Sequence, residues 1–559
     1  MRVIAISMLV WMSSAVTAQG VENFRLMDHR GDSHHLYYFT DKDAVVLVAQ
    51  ARTCDGAAAT AAEVQEISAA HEAVQFFLME ATEAADRAAL GAFAEAHAPD
   101  VPVLIDELSL ASRSLGFAQA GEAVVIDPQT WQTTYRGPVA GVAGALSGDP
   151  GSDSSANVES LCYLNLAAAL DADLTYVDHV APILERNCVV CHRPGGIGPW
   201  AMNSYEMVRG FSLMMREVVM TQRMPPWHAD PTIGHFANDR SLSAEEARTL
   251  VAWAESGAAR GEGEDPLAGY TQPLPDWGEL GEPDLVIDIP PTDVPASGVV
   301  DYQYKFVKNP LDRDVWVRAS QIVPGDRAVL HHVITRFGTM ETEGPRKGRL
   351  SRKGRQGGLA GYVPGYVVRE LPEGTGTLLP AGATIEFQMH YTTQGKATTD
   401  HSRIGIYFHE APPEHEVRTL ILANPRLRIP AHAKAHAEQA VRTFEQDSLV
   451  YSLLPHSHYR GKAARFEAVY PDGSRETLLN VPNYDFNWQT TYVLAEPKWV
   501  PAGTQLIYTN WWDNSAQNPA NPDPNREVTW GEQSWDEMIF GAVAYRVADT
   551  AESGDVAQR

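Results

Sequence analysis

The sequence predicts a multidomain chain in which an α/β domain, an all-α domain and two all-β sandwiches follow one another. Three observations carry that expectation. At 559 residues the chain exceeds what one hydrophobic core holds, and the usual domain size leads to about three or four units. Its composition, 44% hydrophobic and 21% charged, is that of a folding chain, neither disordered nor fibrous. The residue pattern also changes twice, across the Gly, Ser and Asp-rich stretch 147–158 and the Gly, Glu and Pro-rich stretch Gly261 to Pro283, which read as linkers.

Residues 1–18 begin with Arg2, run through the apolar stretch Ile4 to Val16 and end in Val16-Thr17-Ala18, a pattern that suits signal peptidase. The expected destination is the periplasm or the exterior. The apolar run is well short of the roughly 20 residues a spanning helix needs, and no later segment qualifies, so no transmembrane anchor is expected. A formal charge of −27 argues against a nucleic-acid partner, which depends on clustered cations. The short basic run from Lys347 to Arg355 reads as a solvated loop.

Residues 19–146 alternate strands with helices. Ala44 to Ala49 is an unbroken apolar run, expected as a buried strand, and Ala57 to Ala73 is an amphipathic, alanine-rich helix. Phe76 to Met79 and Glu122 to Asp127 supply further strands. The order resembles a thioredoxin or peroxiredoxin-like domain, whose first strand-to-helix turn bears the reactive cysteine; here that turn carries Cys54. Ala57 stands where a C-x-x-C pair has its second sulfur, so the resolving partner is missing. Cys162 is the remaining cysteine of the N-terminal part, and Cys54 with Cys162 is a candidate structural disulfide in an oxidising compartment. A redox role for Cys54 is the alternative.

After the linker 147–173, residues 174–260 are mostly helical and contain Cys188-Val189-Val190-Cys191-His192. This is the C-x-x-C-H attachment motif for a c-type haem: the cysteines lie about one turn apart, within reach of both vinyl groups, and the histidine then points at the iron. No second cysteine pair is left to complete a zinc site. The segment resembles small class I cytochromes c, and the resemblance implies Met224 as sixth ligand. His228 and His235 are competing distal candidates.

Beyond the linker 261–283, short alternating strands are broken by turn signals such as Pro324-Gly325-Asp326 and Pro471-Asp472-Gly473, the spacing of β-sandwiches. Histidines recur there in ordered settings. His456 and His458, two apart on a strand, face one side and reach one ion, and with the thioether of Met538 they form a donor set that favours Cu(I). His331 and His332 are harder to justify, because neighbours on a strand point to opposite faces and share a metal only at a bulge or an edge. His390 follows before Tyr391. His34-His35 near the N-terminus shows that the bare dipeptide is weak evidence, and His401, His409, His415, His432 and His436 read as structural or exposed.

The ordered set resembles the ascorbate-dependent type II copper monooxygenases, the family of peptidylglycine α-hydroxylating and dopamine β-monooxygenases. The resemblance implies two jelly-roll sandwiches, here 284–415 and 416–546, ahead of a tail at 547–559. It implies two copper ions, one for electron transfer on His331, His332 and His390, and one for oxygen and substrate on His456, His458 and Met538. The implied reaction is hydroxylation of a C–H bond of a small-molecule or peptide substrate with O₂, using two electrons. Ascorbate or another one-electron reductant supplies them, with the fused haem and a periplasmic electron donor as a further expected source. The family's animal members carry disulfides here, whereas this region has no cysteine. The alternative function is a non-catalytic periplasmic electron-transfer or copper-binding protein; a thiol peroxidase built on Cys54 is a third reading. Tyr391, Tyr459, Asn510, Trp511 and Trp512 are expected either in a substrate cleft or in the core.

Overall fold

The computed structural model describes residues 20–81, 86–148, 162–166, 173–273, 275–343, 347–351, 357–363 and 368–549. The expected signal segment 1–18, most of the expected linker 147–173, part of the basic run and nearly all of the tail lie outside them. The chain divides into two compact units, one of Met1–Arg30 and His34–Ala168, the other of Ala169–Arg559 together with Gly31–Ser33.

The N-terminal unit is built on a seven-stranded mixed sheet. Ala44–Gln50 is buried along its whole length, parallel to Val74–Glu80 and antiparallel to Glu122–Asp127. A strand covered on both faces is apolar throughout, which is why its sequence shows no alternation. Helix Ala57–Ala70 makes the crossover and stops short of Ala73, whose carbonyl instead accepts from Asp43 N–H, 2.9 Å away. Helix Arg87–His97 starts at Asp86, whose carboxylate accepts from the Ala88 and Ala89 N–H groups. With Val103–Ile105 parallel to Val74–Glu80 and Gln132–Pro138 antiparallel to Glu122–Asp127, this is a thioredoxin-like arrangement. Cys54 and Cys162 form a disulfide, Cα to Cα 5.9 Å, which closes a separation of 108 residues.

In the second unit, the helices Ala181–Asn187, Tyr205–Gly210, Ser212–Met220 and Ala244–Glu255 pack around Tyr176, Leu184 and Trp253. Ser243 and Glu246 form a capping box at the last of these helices. The segment between the last two helices leaves this core. Trp227 is buried in the C-terminal sandwich with its ring edge-on to Tyr492 at 4.9 Å. His235 and Ala237 hydrogen-bond to Ala495 and Val493 as an added edge. The helical segment expected at 174–260 is thus stitched into its neighbour by the residues that follow Met224.

Two sandwiches complete this unit. In the first, Gln303–Lys308, Thr384–Tyr391 and Leu330–Gly338 form a three-stranded sheet facing a larger one that contains Val315–Val323, Arg403–Phe408 and Leu285–Asp288. Val333, Phe337, Ile385, Phe387 and Met389 meet Val317, Ile322, Ile404 and Ile406 between them. The alternate positions His332 and His390 occupy the opposite face as register partners, beside the pairs Ile334 with Gln388 and Arg336 with Glu386.

The second sandwich sets Arg418–Ala423, Phe540–Val547, Ser448–His456 and Tyr492–Val500 against His436–Thr443, Gln505–Trp512, Gly461–Val469 and Arg475–Val481. Val450, Leu453 and Val543 fill its core with Phe466, Leu479, Tyr508 and Trp512. Neither sandwich contains a cysteine, so no disulfide staples either core.

Candidate metal centres

His331, His332 and His390 come together at the end of the three-stranded sheet, each contributing a ligand atom within 4.8 Å of the others. The strand pair makes this possible through a register shift between Leu330 and His332. An irregularity there frees two consecutive side chains from strict alternation, so neighbouring imidazoles turn to one point. His332 Nδ1 lies 3.2 Å from His331 Nδ1 and 3.1 Å from His390 Nδ1. One Nδ1 offers either one in-plane lone pair or one proton, so protons alone do not satisfy both contacts. A cation at the meeting point accepts all three lone pairs.

The rings are neutral. Burial, with the neighbouring His331 and His456, pushes His390 down to about 3. Burial and the surrounding imidazoles hold His332 well below its ordinary value, and burial lowers His331. Neutral imidazole is the form a metal requires. Ser534, from the other sandwich, lies 3.2 Å from His390 Nε2 and 3.2 Å from the Tyr302 hydroxyl, so the face of the ring turned away from the convergence has a partner.

His456 and His458 form the second set, ring centroids 5.2 Å apart. His456 Nδ1 donates to Gln489 Oε1 at 2.7 Å, and His458 Nδ1 donates to the Asp536 carbonyl at 3.3 Å. Both bonds fix the proton on Nδ1 and leave the Nε2 lone pairs free. Burial pushes His456 down to about 4 and His458 well below its ordinary value. The turn carrying them is clamped by Glu537, whose carboxylate accepts from His458 N–H (2.9 Å), Arg460 N–H (2.6 Å), the Ser457 hydroxyl (3.0 Å) and the Trp512 indole (3.1 Å). Burial raises Glu537 to about 7 against those donors. Met538 is next in the chain and half-buried, ahead of Phe540, the register partner of His456. It therefore lies on the segment that flanks both histidines, and two imidazole nitrogens with a thioether from that segment would be a donor set that suits copper.

The two sets are neighbours. His456 and His458 contribute to the depression of His332. Loop Asp485–Gln489 spans them, with Gln489 on His456 and the Phe486 ring stacked on His331 at 5.0 Å and 13°. Phe486 also meets His458 edge-on at 6.2 Å.

In the helical segment, Cys188 to His192 occupies one turn, with Cys191 and His192 N–H groups both reaching the Cys188 carbonyl. His192 Nδ1 donates to the Trp200 carbonyl at 3.1 Å, leaving Nε2 as the free donor atom. A Cβ on Gly198 would stand 2.8 Å from the His192 ring, so a glycine is needed at that approach. Burial and Cys191 push the Cys188 thiol up to about 12, and burial raises Cys191, the reverse of a reactive dithiol. Val190, Met207, Leu213 and Met214 expose apolar surface on the same segment. These features fit a covalently held macrocycle. Met224 is half-buried, while His228 is buried in the stretch that joins the sandwich and His235 is exposed on its edge.

The other expectations resolve individually. His34 bonds Asp28 at 2.9 Å and packs on Phe77. His401 and His432 are exposed, and His409 bonds the Thr375 carbonyl. Tyr391 belongs to the core, its hydroxyl on Asp400, and Trp512 is fully buried on Ser457 and Glu537. Both are therefore core residues, while Tyr459 lies against Phe486, ring centroids 4.9 Å apart. Sequence reasoning missed Phe486, Gln489 and Ser534, which lie in loops with no ligand-like spacing.

No family model matches the chain, and no curated protein matches it. Among solved structures it is similar to a thioredoxin-like protein from Aeropyrum pernix, 14% identical over 22% of this chain and 89% of that one, TM-score 0.21. It is similar to peroxidoxin BcpB from Mycobacterium tuberculosis, 18% identical over 24% of this chain and 92% of that one, TM-score 0.21. A secreted Mycobacterium tuberculosis disulfide oxidoreductase aligns at 18% identity over 22% of this chain and 95% of its own, TM-score 0.20.

Proposed function

We propose that the chain is an exported copper-dependent monooxygenase that hydroxylates a C–H bond with O₂, fed with electrons through a c-type haem on the same polypeptide. The observation that carries this reading is the convergence of His331, His332 and His390 through Nδ1 beside a second set that presents His456 and His458 through Nε2. One set of three imidazoles and one set of two imidazoles with a thioether are unlike donor sets, suited to different tasks. A store for copper needs no such asymmetry.

Copper held by His331, His332 and His390 would supply one-electron storage, and copper held by His456, His458 and Met538 would supply oxygen activation. The chain's own contribution is to bury five imidazoles in the unprotonated range and to fix the tautomer of two of them, His456 and His458, so that binding at their Nε2 atoms displaces no proton. Gln489 and the Asp536 carbonyl keep the Nδ1 protons of His456 and His458, and Glu537 holds the turn between them rigid. Burial keeps bulk water from the set. The docking of Trp227 into the core of the second sandwich favours a haem segment that serves this unit over one that serves a separate protein.

The test is product formation from ¹⁸O₂ by copper-loaded, haem-bearing protein across a panel of small amines, amides and peptides. Incorporation of one ¹⁸O atom per hydroxylated product, abolished in Met538→Ala, is the expected outcome. Oxygen consumption that yields only peroxide with every compound, unchanged in Met538→Ala, contradicts it.

A further inference from the structure

We propose that Phe486 is the bridge between the two centres, the contact across which an electron passes from the three-histidine set to the set of His456, His458 and Met538. The inference rests on the reading that both sets hold copper, and it concerns how they communicate. Among the described residues, Phe486 is the one aromatic ring in contact range of imidazoles from both sets: stacked on His331, near His390 at 5.8 Å and His332 at 6.3 Å, and edge-on to His458 at 6.2 Å. Tyr302 reaches only His332 and His390, and Phe540 only His456.

The ring is held in place. Phe486 is buried against the core of the second sandwich. Its carbonyl accepts from Gln489 Nε2 at 3.2 Å, while Gln489 Oε1 binds His456. The loop that orients one ligand of the second set therefore sets the ring against a ligand of the first. A packed, polarisable ring carries electronic coupling across a gap where a void has no atoms at all, and it keeps water out of the same space. With copper held by both sets, the three-histidine ion would give up one electron, passing from Cu(I) to Cu(II), and the ion held by His456, His458 and Met538 would take it up. No atom or proton is transferred. Phe486 is a positioning residue, since it acts through the imidazoles it touches.

The experiment uses copper-loaded holoprotein, reduced with dithionite, mixed with oxygenated buffer and freeze-quenched for electron paramagnetic resonance. In the wild type, cupric signals of both centres are expected to grow together. Phe486→Leu, a size-tolerated exchange, is expected to keep two coppers per chain while the three-histidine signal lags by up to about a hundredfold, the scale of a small misplacement at a reacting centre. Phe486→Tyr, which keeps the ring, and Phe540→Leu, which alters a ring touching one set only, should follow the wild type. Oxidation of both centres in step in Phe486→Leu overturns the bridge. As a check independent of any variant, pulsed resonance on oxidised wild type should show dipolar coupling between two cupric ions, and isolated, non-interacting ions also overturn it. A wild type that binds fewer than two coppers removes the metal reading itself, and the bridge with it.

Discussion

Gln489 does for His456 what no metal ligand does for itself. By accepting the Nδ1 proton at 2.7 Å it selects the tautomer and aims Nε2 outward. Outer partners of this kind govern affinity by about 10–100-fold, so Gln489→Leu should weaken copper binding at one of the two centres by that factor. A titration against a competing chelator measures it, and unchanged affinity at both centres would remove the role. The histidines and Met538 stood out in the sequence because soft metals need nitrogen and sulfur donors. Gln489, Phe486 and Ser534 did not, because their roles depend on where unrelated loops meet. The four hydrogen bonds of Glu537 at the turn of His458 likewise arise from the tertiary fold.

Among elements, the strand pair Leu330–Gly338 with Thr384–Tyr391 shows how register becomes chemistry. Alternation sends Val333 and Phe337 inward and His332 outward, and the shift beside Leu330 brings His331 round to join it. The buried run Ala44–Gln50 and the outline of both sandwiches were legible from apolar pattern and turn residues. The excursion of Trp227 and Phe236 into the C-terminal sandwich was not, since nothing local separates a core aromatic of one domain from one that docks into another.

Asp265 pins two parts of the helical segment: its carboxylate accepts from the Tyr176 hydroxyl and from the Tyr205 and Leu267 N–H groups. Burial pushes its pKa up, but these bonds and Arg260 outweigh that and leave it below the ordinary 3.8. A carboxyl lowered on folding contributes stability that is complete above its unfolded value and is lost as the pH falls from there through the folded value. Acid unfolding of this segment, followed by tryptophan fluorescence, should therefore steepen below about pH 4 in the wild type. Asp265→Asn should flatten that limb and cost about 1 kcal/mol at neutral pH, given its partial exposure. Identical acid limbs in the two proteins would contradict it.

At the scale of the molecule, the helical segment and both sandwiches form one compact unit, and the sandwiches meet at the histidine sets: Ser534 on His390, Phe486 on His331, and nearby Tyr304 bonding both Gln388 and Glu532. Two histidine sets of different composition share this unit with the Cys188-to-His192 motif, and in the proposed function they would pass single electrons. Among the described residues no helix is long and apolar enough to cross a membrane.

Metal content decides between a copper monooxygenase and a chain whose histidine sets hold no copper. The most direct measurement is copper and haem per polypeptide, by elemental analysis and absorbance, on protein matured in a periplasm and on the variants His332→Ala and His458→Ala. Two coppers and one haem per chain, with each variant losing a single copper, is the predicted result. One haem with no copper after loading, or copper content indifferent to both substitutions, would contradict the account.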